Sequence, residues 1–272
     1  MKVLVLLTCH NRINKTRSCI NSLINGNKDL SFTFVVVDDG STDNTVEMLN
    51  EMNKVNDLYI VQGNGNLYYS RGMRIAMEFA RNLENKYDFV LLVNDDVLFF
   101  SKSILLLIER SSELNNAIIA GATVDENGQQ TYGGIKYYSK IKYKMLKVNE
   151  TNIEADTFNA NCVLIPINVF LSCEIIDSRY IHSLGDFDYG LNLKKAGYKI
   201  YTSKDYVGLC NKNPINNTWQ DRSLSIIKRI QKKESIKGAP IKQWFYFLKK
   251  HFGIGFALFY SITPFIKIVL RK

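Results

Sequence analysis

This 272-residue chain has no Cys-x-x-Cys pair, and its five cysteines (Cys9, Cys19, Cys162, Cys173 and Cys210) are an odd number. A zinc module therefore finds no ligand spacing. A chain of this size does not need a disulfide scaffold, and free thiols in a reducing cytoplasm are expected. The third glycine of a dinucleotide-binding loop is also missing, because Tyr68 stands where Gly63-x-Gly65 would need it. No RNA-binding signature, internal repeat, low-complexity linker or nucleotidyltransferase-type Gly-rich N-terminal loop is present. Met1-Lys2 runs straight into an apolar stretch with no small-residue cleavage site, so no secretory leader is expected. Acid is nearly missing from the end of the chain. Residues 222–272 hold twelve Lys and Arg against Glu234 alone, a net +11, while the remainder sums to −2. That asymmetry points the tail toward an anionic surface.

What is present suffices for a sizeable core. Apolar residues make up 46% and charged residues 22%, the balance of one large domain or a domain with an appendage. Val3–Leu7, Phe32–Val37, Leu58–Val61, Phe89–Val93 and Ala117–Ala120 are short apolar runs, as strands buried on both faces require. Helices are predicted between them: from about Asn14 to Asn25-Gly26, after a cap at Thr42 or Asp43, from Arg71 to Leu83, and from Ser103 to Leu114. This alternation predicts an α/β, Rossmann-like, mostly parallel sheet with helices on both faces. Beyond residue 121 the rhythm breaks. A hairpin is expected around Gly133-Gly134, a buried strand at Cys162–Ile165, a helix from Asp186 to Ala196, and a strand from Tyr198 to Val207.

Three of the early strands end in polar loops containing Asp or Asn, and parallel strands would bring those loops to one edge. Leu91-Leu92-Val93-Asn94-Asp95-Asp96-Val97 ends a buried run in two carboxylates. Adjacent Asp residues are costly there without a partner, and a hard divalent cation suits them; an acidic loop is the alternative. Capping explains Ser41, Thr42 and Asp43 but not Asp38-Asp39, which can accept hydrogen bonds from a ribose or base. Arg71 and Arg74 near a helix start would face either a diphosphate or solvent. Asp186 and Asp188 open a helix, as dipole-complementing acids or as a general base taking a proton from a hydroxyl. His182 beside them is a structural histidine, a supporting partner or a ligand.

Together VVVDDGSTDNT, LVNDDV and GDFDYGLNLKKAGYKI resemble the family 2 inverting glycosyltransferases, which have the GT-A fold. GNGNLYYSRGMRIA, TFNANCVLIP and HSLGDFDYGL resemble a bacterial subgroup that builds surface polysaccharides such as O-antigen and capsule. The resemblance covers about residues 1–210. It implies a GT-A domain over 1–221, with a nucleotide-binding half (1–121) and an acceptor half (122–221), followed by a basic helical region over 222–272. It implies transfer of a sugar from a nucleotide-sugar, UDP expected and dTDP the alternative, to a glycan hydroxyl. Thr8, Asn11 and Arg12 would touch the base and Asp39 the base or ribose. Asn66, Arg71, Arg74, Asn94 and Asp95 would complete the donor site. Asp96 would ligate Mn2+ or Mg2+, Asp186 would be the catalytic base, and Asp188 and Asn161 would face the acceptor. Two departures stand out. Gly185 replaces the Glu that often precedes the base. Leu209-Cys210-Asn211 stands where many members carry a metal-binding His, so either the metal has fewer protein ligands or another residue, His182, completes the shell. These departures keep open a catalytically silent sugar-nucleotide-binding subunit.

Trp244–Leu248 lies between lysines, and Phe252–Leu270 is apolar but interrupted by Gly253, Gly255 and Pro264. An interfacial helix on the inner face of the cytoplasmic membrane is expected, near a polyprenyl-diphosphate-linked acceptor. The alternative is a helical pair packed on the body or on a second copy of the chain. Nucleic acid is not expected as a partner.

Overall fold

The structure, a computed structural model, describes residues 1–83, 86–140 and 142–270. Arg271 and Lys272, which end the basic stretch, lie outside these. The first half follows the predicted alternation: β1 (Lys2–Cys9), α1 (Ile13–Gly26), β2 (Ser31–Asp38), α2 (Thr45–Asn53), β3 (Asp57–Gln62), α3 (Tyr68–Arg81) and β4 (Phe89–Asn94). The short β5 (Leu98–Phe99), α4 (Ser103–Glu113) and β6 (Ile118–Val124) follow. β1, β2, β3 and β4 are mutually parallel in the order β3-β2-β1-β4.

The middles of β1, β2 and β4 are almost wholly apolar because both faces are covered, while β3 at the edge is only partly buried. Val3, Val5, Leu7, Val36, Leu91 and Val93 pack on one side with Ile20 and Leu23 of α1, Leu49 of α2 and Leu107 of α4. Leu4, Leu6, Val35, Val37, Val90 and Leu92 face the other side, with Met73, Ala76 and Met77 of α3. Alternate residues thus feed two separate cores, as the two-residue period of a strand dictates.

The structure departs from expectation in three ways, two of them in the second half. Gly133 does not sit in a hairpin. It separates β7 (Gln130–Tyr132), which pairs with β6, from β8 (Gly134–Tyr137), which joins β9 (Tyr143–Met145) and β10 (Thr157–Phe158) in a second, three-stranded sheet. Gly133 has φ +151°, which lets the chain leave one sheet for the other. Next, β11 (Cys162–Pro166) inserts between β4 and β6 and runs antiparallel to both. Finally, α2 is not capped by Thr42 or Asp43. Its N-cap is Asn44 in the left-handed region, and the Asp43 carboxylate bonds Ile13 N and Thr45 Oγ1 instead. After α5 (Ile167–Ser172) come α6 (Gly185–Lys195) and β12 (Ile200–Leu209), which is parallel to β6.

Residues beyond 221 form α7 (Ile226–Glu234), α8 (Ile241–Phe252), α9 (Ile254–Tyr260) and α10 (Thr263–Val269). Among the described residues no helix is long and apolar enough to cross a membrane. Phe247 and Leu248 of α8 and Ala257 of α9 are buried with Tyr180 against the outer side of α6. The seam is also ionic. Asp188 is fully buried, and its carboxylate accepts hydrogen bonds from Lys250 Nζ (2.8 Å), Tyr180 Oη (3.0 Å) and Asn192 Nδ2 (3.0 Å), with His251 Nε2 at 2.7 Å. Removing one member of a buried, fully bonded charge pair leaves the other uncompensated. Asp188→Ala is therefore expected to cost about 3–5 kcal/mol and lower Tm by roughly 6–12 °C, measured by thermal melting. A change within 1 °C would show that α8 is not held by this contact.

Candidate active site

The strand order reverses at β1. From β1 the chain steps to β2 and β3 on one side, then returns to β4 on the other. Ligands of open α/β sheets bind in the crevice opened by such a reversal, at the carboxyl ends of the strands. Here that crevice is a cavity of about 740 Å3 lined by Thr8, Arg12, Asp39, Asn94, Asp95, Asp96, Asn161, His182 and Asp186 among others.

Asp95 and Asp96 lie in the turn that follows β4. The Arg12 guanidinium, arriving from the β1–α1 loop, bonds both: 2.8 Å to Asp95 Oδ1 and 3.2 Å to Asp96 Oδ2. Burial pushes the Asp95 carboxyl up to about 6, although Arg12 favours the charged form. Asp96 is the more open of the two, with 19% of its side chain exposed against 7% for Asp95. Its Oδ1 lies 3.6 Å from Cys210 Sγ. Burial and the neighbouring Asp96 push that thiol up to about 12, so it is a neutral S–H donor and not a thiolate ligand.

Asp39 is nearly buried. Its Oδ1 accepts from Gly65 N (2.8 Å), and its Oδ2 from Leu67 N and Tyr68 N (2.9 Å each). The carboxylate thus ties down the 63–68 loop and keeps little acceptor capacity free. Gly63 is required for this approach, because a Cβ there would lie 2.8 Å from the Asp39 backbone and carboxylate. His10, absent from the expected set, lines the cavity with Nδ1 2.6 Å from Asp39 O.

Asp186 opens α6 and stays partly open to the cavity. Oδ1 accepts from Phe187 N (2.9 Å) and Oδ2 from Ala160 N (3.3 Å). Burial raises its pKa to about 6 in spite of these bonds. A carboxyl near 6 is poised to exchange a proton at neutral pH. Gly185 before it is buried, and a Cβ there would lie 2.4 Å from Ser70 Oγ, so the Glu of relatives has no room. Ser70 Oγ donates to His182 O (2.7 Å), and the backbone N–H groups of Ser70 and Arg71 point at Ile181 O. The start of α3 thus holds the segment that delivers Asp186.

Five expected site residues lie off the cleft lining. Asn11 is exposed and bridges loops, its Oδ1 accepting from Thr42 N at 2.7 Å. Asn66 is exposed. Because α3 begins at Tyr68, Arg71 and Arg74 fall within the helix. Arg71 is exposed and Arg74 pairs with Glu78 at 2.8 Å. Asp188 faces α8. Conversely, the cleft includes Tyr68, Tyr69, Tyr137, Tyr143, Lys237, Trp244 and Phe247, which were not in the expected set. The only hint of them was the density of aromatics around those positions.

Divalent-ion fit rests on donor chemistry. Hard cations take carboxylate oxygens, and Mg2+ is commonly held by one or two carboxylates plus substrate phosphates. Asp96, with Asp95 behind it, meets that description. Among the described residues no three His, Cys, Asp or Glu side chains converge as an ion site. Burial, Lys237 and Arg12 hold His182 at about 4, hence neutral, and its Nδ1 is buried without a partner. Asn94 Oδ1 is likewise unpaired. Two orphaned polar atoms beside one cavity mark positions where a bound molecule would supply the missing bonds.

Residues 4–170 match the profile of glycosyl transferase family 2. That is more than half of the chain, which belongs to this family. It is a glycosyltransferase of the GT-A fold. No curated protein matches closely enough to stand as a relative. Among solved structures, S. aureus TarS 1–349 superposes with TM-score 0.59 at 17% identity, over 99% of this chain and 81% of that one. The same protein in complex with UDP gives 0.58 at 16%, with the same coverage. The mannosyltransferase PcManGT from Pyrobaculum calidifontis, in complex with GDP-Man and Mn2+, gives 0.59 at 11%, over 98% and 73%. At these identities the fold is what is shared.

The raised Asp186 pKa is also a statement about stability. A carboxyl whose pKa is higher folded than unfolded adds stability below about 4 and loses it as pH rises through about 6. Asp186→Asn should therefore gain stability over the parent as pH rises from 4 to 7, on the order of 2 kcal/mol. Paired thermal melts across that range test it, and a pH-independent offset would contradict it.

Proposed function

We propose that the chain transfers a sugar from a nucleotide-sugar, with UDP the preferred nucleotide, to a hydroxyl of a glycan acceptor with inversion at the anomeric carbon. The supporting observation is that Asp39, Asp95, Asp96 and Asp186, spread over nearly 150 positions, surround one cavity at the switch point of the sheet. The nucleoside lies toward Thr8, Arg12 and Asp39, and its diphosphate toward Asp95, Asp96 and Arg12. Asp96, supported by Asp95, would hold a divalent ion, Mn2+ or Mg2+, which when bound neutralises charge on the departing diphosphate.

Asp186 takes the proton of the acceptor hydroxyl. The acceptor oxygen forms its bond to the anomeric carbon on the face opposite the diphosphate. The carbon–oxygen bond to phosphate breaks, its electron pair leaving with the nucleoside diphosphate, and Asp186 then gives its proton to solvent. Asn161, whose backbone carbonyl accepts from Asn94 N at 3.1 Å, ties the acceptor side to the end of β4. Asp186→Asn should keep donor binding and lose transfer by roughly 100-fold or more, whereas Asp96→Ala should lose metal-dependent donor binding. Calorimetric titration of UDP-sugars with and without Mn2+, beside a transfer assay, separates the two. Unimpaired turnover by Asp186→Asn would remove it as the base.

The tail supports a place at a membrane surface, where a polyprenyl-diphosphate-linked acceptor of bacterial surface-polysaccharide synthesis would be met. Ile254, Leu258, Phe259, Ile262, Ile266, Val269 and Leu270 are 47–64% exposed along α9, α10 and the turns that flank them, within the stretch of net charge +11. Apolar side chains next to excess Lys and Arg suit an anionic bilayer. The chain should sediment with phosphatidylglycerol vesicles, less so at high salt or after Leu258→Glu with Phe259→Glu, and should ignore phosphatidylcholine. Failure to bind either vesicle would sink this part.

A further inference from the structure

Beyond Asp186 the cavity is walled by aromatic rings, and two of them come from the C-terminal helices. Trp244 and Phe247 sit one turn apart on α8 and line the same cavity as Asp186. Their rings stack with centroids 5.7 Å and planes 10° apart. From the small sheet, Tyr137 of β8 and Tyr143 of β9 lie 5.4 Å apart. Tyr143 meets Phe187, the residue after Asp186, at 5.8 Å. Tyr137 reaches Phe252 at 5.7 Å, and Phe252 lies 6.1 Å from Phe247. Rings from the small sheet, α6 and α8 therefore form one connected surface that runs up to the Asp186 carboxylate.

We propose that this wall is the acceptor subsite and that it takes a pyranose ring by stacking. The proposal rests on the glycosyltransferase reading and adds to it the class of acceptor and the element that selects it. A pyranose carries axial C–H bonds on its faces and hydroxyls around its rim. Its face packs on an aromatic ring while the rim stays available for hydrogen bonds. A hydrocarbon chain would fit the rings but not the rest of the cavity. Asn159, Asn161 and Asn213 also line it, and apolar cover would leave their amides unpaired. An open-chain polyol has the hydroxyls but no flat apolar face. Tyr143 is 50% exposed, so one ring of the wall is open to an incoming molecule. Trp244 is the specificity-determining residue, and the Asp188 contacts to Lys250 and His251 fix its helix against the one that carries the base.

Saturation-transfer NMR on the full chain tests this with the methyl α- and β-pyranosides of glucose, galactose, mannose and N-acetylglucosamine, against ribitol 5-phosphate, each with and without UDP. At least one pyranoside should show strong transfer to its ring C–H protons. That signal should fall roughly fivefold or more in Trp244→Ala and in Tyr143→Ala and persist in Trp244→Phe. The Tyr143 variant alters a half-exposed side chain, so the test survives even if Trp244→Ala folds poorly. The UDP signal should be the same in every folded variant. Equal transfer to ribitol 5-phosphate, no transfer to any pyranoside, or an undiminished signal in both alanine variants overturns the subsite. Loss of the UDP signal in the parent, with pyranoside transfer intact, overturns the nucleotide reading and leaves the ring-binding wall standing.

Discussion

Asp95 and Asp96 close a strand whose preceding residues are buried, and their mutual repulsion has to be absorbed on the spot. Arg12 does this by touching both, which fixes the β1–α1 loop over the end of β4. The same loop reaches the other way: Asn11 accepts from Thr42 N, and His10 lies against Asp39 O. Asp39 in turn gathers the backbone N–H groups at the start of α3. A single chain of polar contacts therefore crosses all four parallel strand ends. The contacts to the Asp39, Asp95 and Asp96 carboxylates offset desolvated charges that would otherwise cost several kcal/mol. The shape of the donor side of the cleft follows from that electrostatic requirement.

The sheet was readable because strands covered on both faces leave an unmistakable trace, four to six apolar residues ended by Asp or Asn. That trace predicts the strands, their shared edge and the carboxylates waiting there. The antiparallel course of β11 was not readable, since a buried run carries no mark of its direction. The difference between Asp186 and Asp188 follows from helix geometry. Residues two positions apart on a helix point roughly 200° apart, so only one of them can face a given cleft. Lys250 and His251 are more than sixty positions from Asp188, and no local pattern announces that they meet it. For the same reason no local pattern places Trp244 in the cavity that it lines.

The two departures from the family pattern have physical readings. Gly185 allows close packing of α6 on Ser70, whose Oγ would lie 2.4 Å from any Cβ at this position. Cys210 lies beside Asp96 as a protonated thiol, a hydrogen-bond donor where a histidine would offer a lone pair. The protein therefore presents one ligating side chain fewer at this point, and a diphosphate and water would have to furnish the rest of any ion's coordination.

The reversed strand at the centre of the sheet has a consequence for how the molecule is made. Until Cys162–Pro166 emerges from the ribosome, the flank of β4 is an open row of peptide groups beside wholly apolar side chains, and β6 has the same problem. Such unpaired edges invite association between nascent chains. The N-terminal strands can assemble early, but their sheet is sealed only when a segment made some seventy residues later arrives between its halves. Biosynthesis thus contains an interval in which these two edges lie open to pairing with another chain.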